Sequence, residues 1–273
     1  MAKRKPNVEL SAPVIKNIKV NPVKIDPDRT KGARCKTFAV VPKGPGSPHN
    51  EDIIFFYSSS DAYGGPFKFL SNFYPCEFKE PNMVRDHTWN CGEQYYQCAK
   101  AIGYSEATVV YNAHKVPSNV MYHIIMMETD AKIIAEQGRS FDFNGERWTS
   151  QWRPGFDANV ENILLMVARA KYGGQDRELS MLLLKTGTHM LVEASAADSE
   201  GGIGVHIEEA FGKKKWGKNV LGEVLMKVRD ELRELWNYHE GYDEKFWQAR
   251  FDEHGARRQK RVDKDKLTSS AEI

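Results

Sequence analysis

The chain changes texture at about its fiftieth residue, and that change limits what it can build. Residues 1–50 hold seven of the twelve prolines and eleven basic side chains against only three acidic ones. A segment so rich in Pro and Lys buries too little apolar surface to offset the entropy of ordering it. Residues 1–50 are therefore expected to be a basic, disordered arm of net charge +8. Residues 51–273, with 28 basic and 34 acidic side chains, carry −6, so the overall +2 averages two unlike parts. A body of about 190 residues, 51–240, is large enough for a single core. A charged C-terminal tail, 241–273, is expected to follow it.

Within the body, apolar residues recur mostly at helical spacing. The run Ile53 to Tyr57 reads as a short strand, and Phe67 to Phe78 alternates aromatic and polar residues as a half-buried hairpin would. Helices are expected from about Cys91 to Ile102 and through Val116 to Met127, where Pro117 stands near the start. Asp130 is placed to cap the segment 131–139, and Asp157 or Asn159 to open the apolar helix 160–172, which Gly173 and Gly174 stop. A further helix at 175–187 and a strand at 188–195 follow. The last helix begins near Asn219, with Leu221, Leu225, Val228, Leu232 and Leu235 on one face, and the chain from Arg257 onward reads as a frayed tail. The expected fold class is α+β, a helix-rich domain with a few short strands.

Several classes of function are excluded at this level. No stretch approaches the roughly 20 apolar residues that span a bilayer, and the N-terminus MAKRKPNVEL lacks the apolar core of a signal peptide. A cytoplasmic protein with no membrane partner is expected, and the KRK run at Lys3 to Lys5 also suits a nuclear address. The four cysteines show no CxxC pairing, which fits reduced thiols. The eight histidines show no ligand spacing, so neither a metal nor another cofactor is expected.

Two segments carry candidate chemistry. From Trp89 to Lys100, a helix would set Glu93, Gln97 and Lys100 at i, i+4 and i+7, because seven residues return to within about 20° of the starting direction. One face then presents a carboxylate, an amide and an ammonium, with Tyr96 beside them. The plain alternative is a surface helix with a polar stripe. The second segment begins at Leu191: Glu193 and Asp198 flank a small-residue loop in which Gly201, Gly202 and Gly204 allow close backbone approach. Asn219 follows as a possible N-cap, and the N–H groups behind it would suit a phosphate, with Lys218 adding charge.

Taken in register, Phe55 to Phe73, Trp89 to Lys100, Ala168 to Tyr172, Leu182 to Ser195 and Trp216 to Arg229 resemble the NADAR (YbiA-like) family over roughly residues 53–235. The resemblance implies an N-glycoside hydrolase. Activities known in the family are removal of ADP-ribose from ADP-ribosylated guanine and hydrolysis of phosphoribosylated intermediates of riboflavin synthesis. Carried over by motif, the expected catalytic residues are Glu93, Lys100 and Asp198. The expected substrate-binding residues are Asn72, Phe73, Trp89, Tyr96, Gln97, Glu193, Gly202, Gly204, Lys218 and Asn219. Two positions depart from the pattern: Gly201 and Phe156 stand where many members have Trp, and Trp148 or Trp152 are candidates to replace one of those indoles. In this expectation the carboxylate of Glu93 stabilises charge at the anomeric carbon, Lys100 attacks that carbon or its ring-opened aldehyde through a Schiff base, and Asp198 or Glu193 binds ribose hydroxyls. ADP-ribosylated guanine, in DNA, in RNA or as a nucleotide, is preferred as substrate because the basic arm suits a polymer. The alternatives are a riboflavin-pathway hydrolase, a non-catalytic ADP-ribose or NAD sensor, and a nucleic-acid binder led by the arm.

Overall fold

The computed structural model of the chain describes residues 38–41, 52–59, 65–80, 87–102, 109–111, 114–116, 125–143, 146–149, 159–174, 176–210, 215–239 and 242–270. These fall into two compact units. The first comprises the described residues up to Lys68, Lys185–Glu223 and those from His239 onward; the second comprises Phe69–Leu184 and Val224–Tyr238.

The first unit is organised by a three-stranded sheet in the order β1-β2-β9. Strand β1 (Phe38–Val41) lies antiparallel to β2 (Ile53–Phe56), with Phe38 opposite Phe56. The segment expected to be an arm thus contributes a strand; the rest of residues 1–50 lies outside the described residues. Strand β9 (Met190–Glu193) runs parallel to β2 from Ile53↔Met190 to Phe56↔Glu193. All four side chains of β2 are buried, as a central strand paired on both edges requires. Trp216 packs edge-on to Phe55 with ring centroids 5.8 Å apart.

In the second unit β3 (Phe78–Lys79) pairs with β4 (Thr88–Trp89). Helix α1 (Gly92–Ile102) follows, then the antiparallel pair β5 (Val109–Tyr111) and β6 (His114–Val116). Next come α2 (Ala131–Gln137) and the pair β7 (Ser140–Phe143) and β8 (Glu146–Thr149). The long helix α3 (Val160–Gly173) leads into α4 (Arg177–Leu184). Asp130 caps α2 as expected, its Oδ1 accepting from Lys132 N–H at 2.8 Å and Ile133 N–H at 3.3 Å. Asp176 does the same for α4, accepting from Glu178 N–H at 2.9 Å and Leu179 N–H at 3.1 Å. Asn159 occupies the N-cap position of α3 without a side-chain cap bond, while Asp157 lies outside the described residues. Of the helix expected through Val116 to Met127, Val116 instead ends β6, Ile125 to Met127 are helical, and 117–124 lie outside the described residues. The first unit also holds the single turn α5 (Ile207–Ala210).

Three expectations change. The hairpin expected over Phe67 to Phe78 is instead a 3-10 helix, Gly65–Leu70, closed by the turn Ser71 to Tyr74; only Phe78 and Lys79 are strand. Pro66 fixes φ at the start of that helix, and Phe67 and Leu70, three residues apart, are both buried. In α6 (Val220–Trp236), Leu221, Val224, Leu225, Val228 and Leu232 are buried as the spacing requires, but Leu235 is 75% exposed because the core ends one turn earlier. Past Trp236, where a charged tail frayed from Arg257 onward is expected, α7 (Glu244–Ser270) forms. Its start is pinned in the first unit by fully buried Trp247, whose ring packs at a tilt against Phe67 with centroids 4.7 Å apart and whose indole N–H donates to the Lys185 carbonyl at 2.8 Å. Among the described residues no helix is long and apolar enough to cross a membrane.

Candidate functional site

Helix α1 starts where it does because its first turn is held from outside. The Glu93 N–H donates to the Asn72 carbonyl at 2.9 Å, and the Asn90 N–H donates to the Gln94 side-chain oxygen at 2.9 Å, so groups that a helix start leaves bare are satisfied. The amide nitrogen of Gln94 reaches across to the carbonyls of Ile125, Met126 and Glu128, the last at 2.9 Å. Gly92 is required there: a Cβ would stand 2.8 Å from Asn72 Oδ1 and 2.9 Å from a Val167 methyl.

The polar stripe on α1 is not a surface stripe. Glu93 is 7% and Gln97 6% exposed, and the Gln97 amide nitrogen donates to Glu93 Oε1 at 2.7 Å. Lys100, half-buried, donates from Nζ to the Gly138 carbonyl at 2.9 Å. Burial holds its ammonium below the ordinary lysine range; the Glu93 carboxylate opposes that shift, and the Arg139 charge adds to it. Gly138 also lies against the Gln97 amide, so that any Cβ at this position would collide with it. Glu93, Gln97, Lys100 and the turn after α2 therefore form one arrangement. It can offer a fixed carboxylate and a lysine whose charged form burial disfavours.

Asn72 and Phe73 sit at the apex of the turn Ser71 to Tyr74, both half-buried. The turn is closed by Tyr74 N–H to Ser71 O at 3.1 Å and by Phe73 N–H to Ser71 Oγ at 3.2 Å. Tyr96 is half-buried on α1. Trp89, expected to bind substrate, is fully buried instead, edge-on to Tyr95 at 5.0 Å, and Tyr95 in turn donates to Glu80 at 2.9 Å. A core aromatic with no exposed surface supports the sheet edge before α1 and has no face left for a ligand.

The remaining expected residues lie in the first unit. Glu193, half-buried at the end of β9, donates its N–H to Asn219 Oδ1 at 3.0 Å, while the Asn219 amide nitrogen donates to the Leu191 carbonyl at 2.9 Å. Asn219 has no exposed surface and a φ of 54°, so it braces the strand and does not present its amide to solvent. Asp198 is exposed; its Oδ1 accepts from the N–H groups of Glu200 and Gly201, each at 2.9 Å. A Cβ at Gly201 would stand 2.6 Å from Asp198 Oδ2, so the space a Trp would need is held by that carboxylate. Gly202 is equally confined, 2.7 Å from the Glu193 carbonyl at its would-be Cβ, and Gly204 has φ 70°. The N–H groups expected to be open to a phosphate are already used: Val220 donates to Glu200 O at 3.1 Å and Leu221 to Gly201 O at 3.0 Å. Lys218 is exposed and pairs with Glu200 at 2.8 Å. The loop itself occupies the start of α6, which removes the expected anion site.

Sequence reading missed Gln94 and Gly138. Gln94 carried no signal beyond its place in the helix, since its partners come from a distant loop. Gly138 reads as an ordinary helix stop just beyond α2.

Comparison with known proteins gives a consistent answer. The sequence model of the NADAR domain matches residues 55–233. A protein of Acanthamoeba polyphaga mimivirus named as an N-glycosidase is 30% identical over 188 residues, covering 66% of this chain and 96% of its own. One from Nostoc punctiforme, also named as an N-glycosidase, is 30% identical over 67% of this chain and 94% of its own. A riboflavin biosynthesis protein of Vibrio vulnificus is 28% identical over 67% of this chain, though over only 40% of its own length.

Proposed function

The chain belongs to the NADAR domain family, and from that premise we propose that it is an N-glycosidase that releases ADP-ribose from ADP-ribosylated guanine. The observation that carries the reading is the buried Glu93–Gln97 pair beside a lysine whose ammonium is destabilised by burial. A ribosyl N-glycosidic bond breaks with positive charge developing at the anomeric carbon, and a fixed carboxylate stabilises that charge. The Gln97 amide, donating to Oε1, fixes the Glu93 carboxylate in place. Lys100 is the nucleophile in this scheme. Its neutral amine bonds to the anomeric carbon as the base leaves with the bonding pair, and the proton shed by the newly bonded nitrogen passes to the base. The sugar ring then opens to an imine, and water releases ADP-ribose and the free amine.

The preference for guanine over a free pyrimidine intermediate rests on the basic arm, a feature useful with a polymer and unneeded with a small nucleotide. The riboflavin reading is favoured by the name of the Vibrio vulnificus relative. Incubation with an ADP-ribosylated guanine oligonucleotide and, separately, with a phosphoribosylated pyrimidine decides between them by which one is cleaved. Borohydride added during turnover should fix a covalent adduct on Lys100; turnover without any adduct removes the Schiff base from the scheme. Glu93→Gln should retain binding and lose turnover, whereas a sensor would show no turnover even as wild type.

A further inference from the structure

Lys171 is the least expected charge in the second unit. It lies in the last turn of α3, only 3% exposed, and among the described residues no carboxylate pairs with it. Burial pushes its ammonium below the ordinary lysine range. A cation in such a place is costly unless all its donors are used. Its Nζ donates to the Phe69 carbonyl at 2.7 Å and to the Ser71 carbonyl at 2.9 Å. The neighbouring Tyr172 hydroxyl donates to the same Phe69 carbonyl at 2.6 Å. These two side chains grip the base of the turn whose apex is Asn72 and Phe73. From that apex the Asn72 carbonyl receives the Glu93 N–H, while the Asn72 side chain packs over Gly92. The path from the buried ammonium to the carboxylate is therefore continuous: Lys171, the carbonyls of the turn, the Asn72 carbonyl, the first turn of α1.

We propose that Lys171, seconded by Tyr172, is a positioning residue of the Glu93–Lys100 arrangement, tying down the Phe69 to Tyr74 turn so that Glu93 and the Asn72 and Phe73 side chains keep one geometry. The proposal rests on the reading of Glu93 as the carboxylate of the reaction. It assigns Lys171 no bond to substrate. A helix C-terminal cation without an acid partner makes sense in this role, because a carboxylate would compete with the carbonyls for its protons, and only main-chain acceptors can set the path of the turn.

The test compares wild type, Lys171→Met and Tyr172→Phe. Lys171→Met keeps the apolar stem but donates nothing. It should lower kcat about 100-fold, the scale of a misplacement of about 1 Å in a reacting group, with KM changed far less. Tyr172→Phe, which leaves the ammonium in place, should lower kcat roughly 5-fold, the scale of one hydrogen bond, and it keeps the proposal testable if Lys171→Met does not fold. Hydrogen exchange supplies a reading independent of catalysis: the amides of Tyr74 and Glu93 should lose protection in both variants while those of α3 keep theirs. Wild-type kcat in a folded Lys171→Met, or unchanged protection at Tyr74 and Glu93, overturns the proposal. Absence of turnover by wild type on every ribosyl substrate would overturn the functional reading instead, and the exchange result would still judge the clamp.

Discussion

At the scale of single residues, Gly138 contributes a main-chain carbonyl to Lys100 and open space to Gln97. Its φ of −62° suits any residue, so Gly138→Ala should fold normally. The added methyl nevertheless displaces the Gln97 amide from Glu93, and kcat/KM should fall about 100-fold, which steady-state kinetics beside a circular dichroism spectrum would check. Arg139, the next residue, acts through charge. In the proposed scheme the neutral amine of Lys100 is the reactive form, so activity should rise as pH climbs through the Lys100 pKa, which burial has brought below its ordinary value. The Arg139 charge lowers that pKa further, so Arg139→Gln should move the rising limb of the pH–rate profile to higher pH; a limb that stays in place would separate Arg139 from Lys100. Glu93, Gln97 and Lys100 were legible in sequence because a helix converts spacing into proximity. Gly138 and Gln94 were not, since their partners arrive from segments more than thirty residues away.

At the scale of elements, local patterns held where one rule governed and gave way where packing decided. The Asp130 cap and the strand at β2 follow from sequence alone. The alternation of Phe67 to Phe78 did not make a hairpin, because Pro66 and the burial of Phe67, Phe69 and Leu70 favour a tight helix. Asn219 shows the same lesson in reverse: a residue that reads as a helix cap is a brace between β9 and the start of α6. Asn219→Asp keeps the shape but cannot donate to the Leu191 carbonyl, and it buries a charge. Urea unfolding should show a loss of about 3 kcal/mol, and a variant as stable as wild type would mean that the brace carries no weight.

At the scale of the whole molecule, the division of charge is a property of the sequence, and the segment expected to be an arm includes the strand Phe38–Val41. Residues 1–37 hold ten basic side chains against three acidic ones. Deleting them leaves β1 in place, and should leave turnover of a small nucleotide substrate nearly unchanged. On an oligonucleotide the same deletion should weaken action and flatten the dependence of affinity on salt, measured by titration between 50 and 200 mM salt, the range over which phosphate contacts release counterions. Equal salt slopes with and without the arm would show that it does not touch nucleic acid.

The parallel pairing of β2 with β9 has a consequence for how the protein is made. Strand β2 is an early segment of the chain and β9 a late one, and nothing local can join them. During synthesis at about 5–20 residues per second, the edge of β2 that β9 will cover waits roughly ten seconds for its neighbour. Four wholly apolar side chains and a row of main-chain groups on that edge lack their partner strand during that interval, which favours association with other chains. Slower translation between these two strands should therefore cost yield of native protein, even though the finished sheet is unchanged.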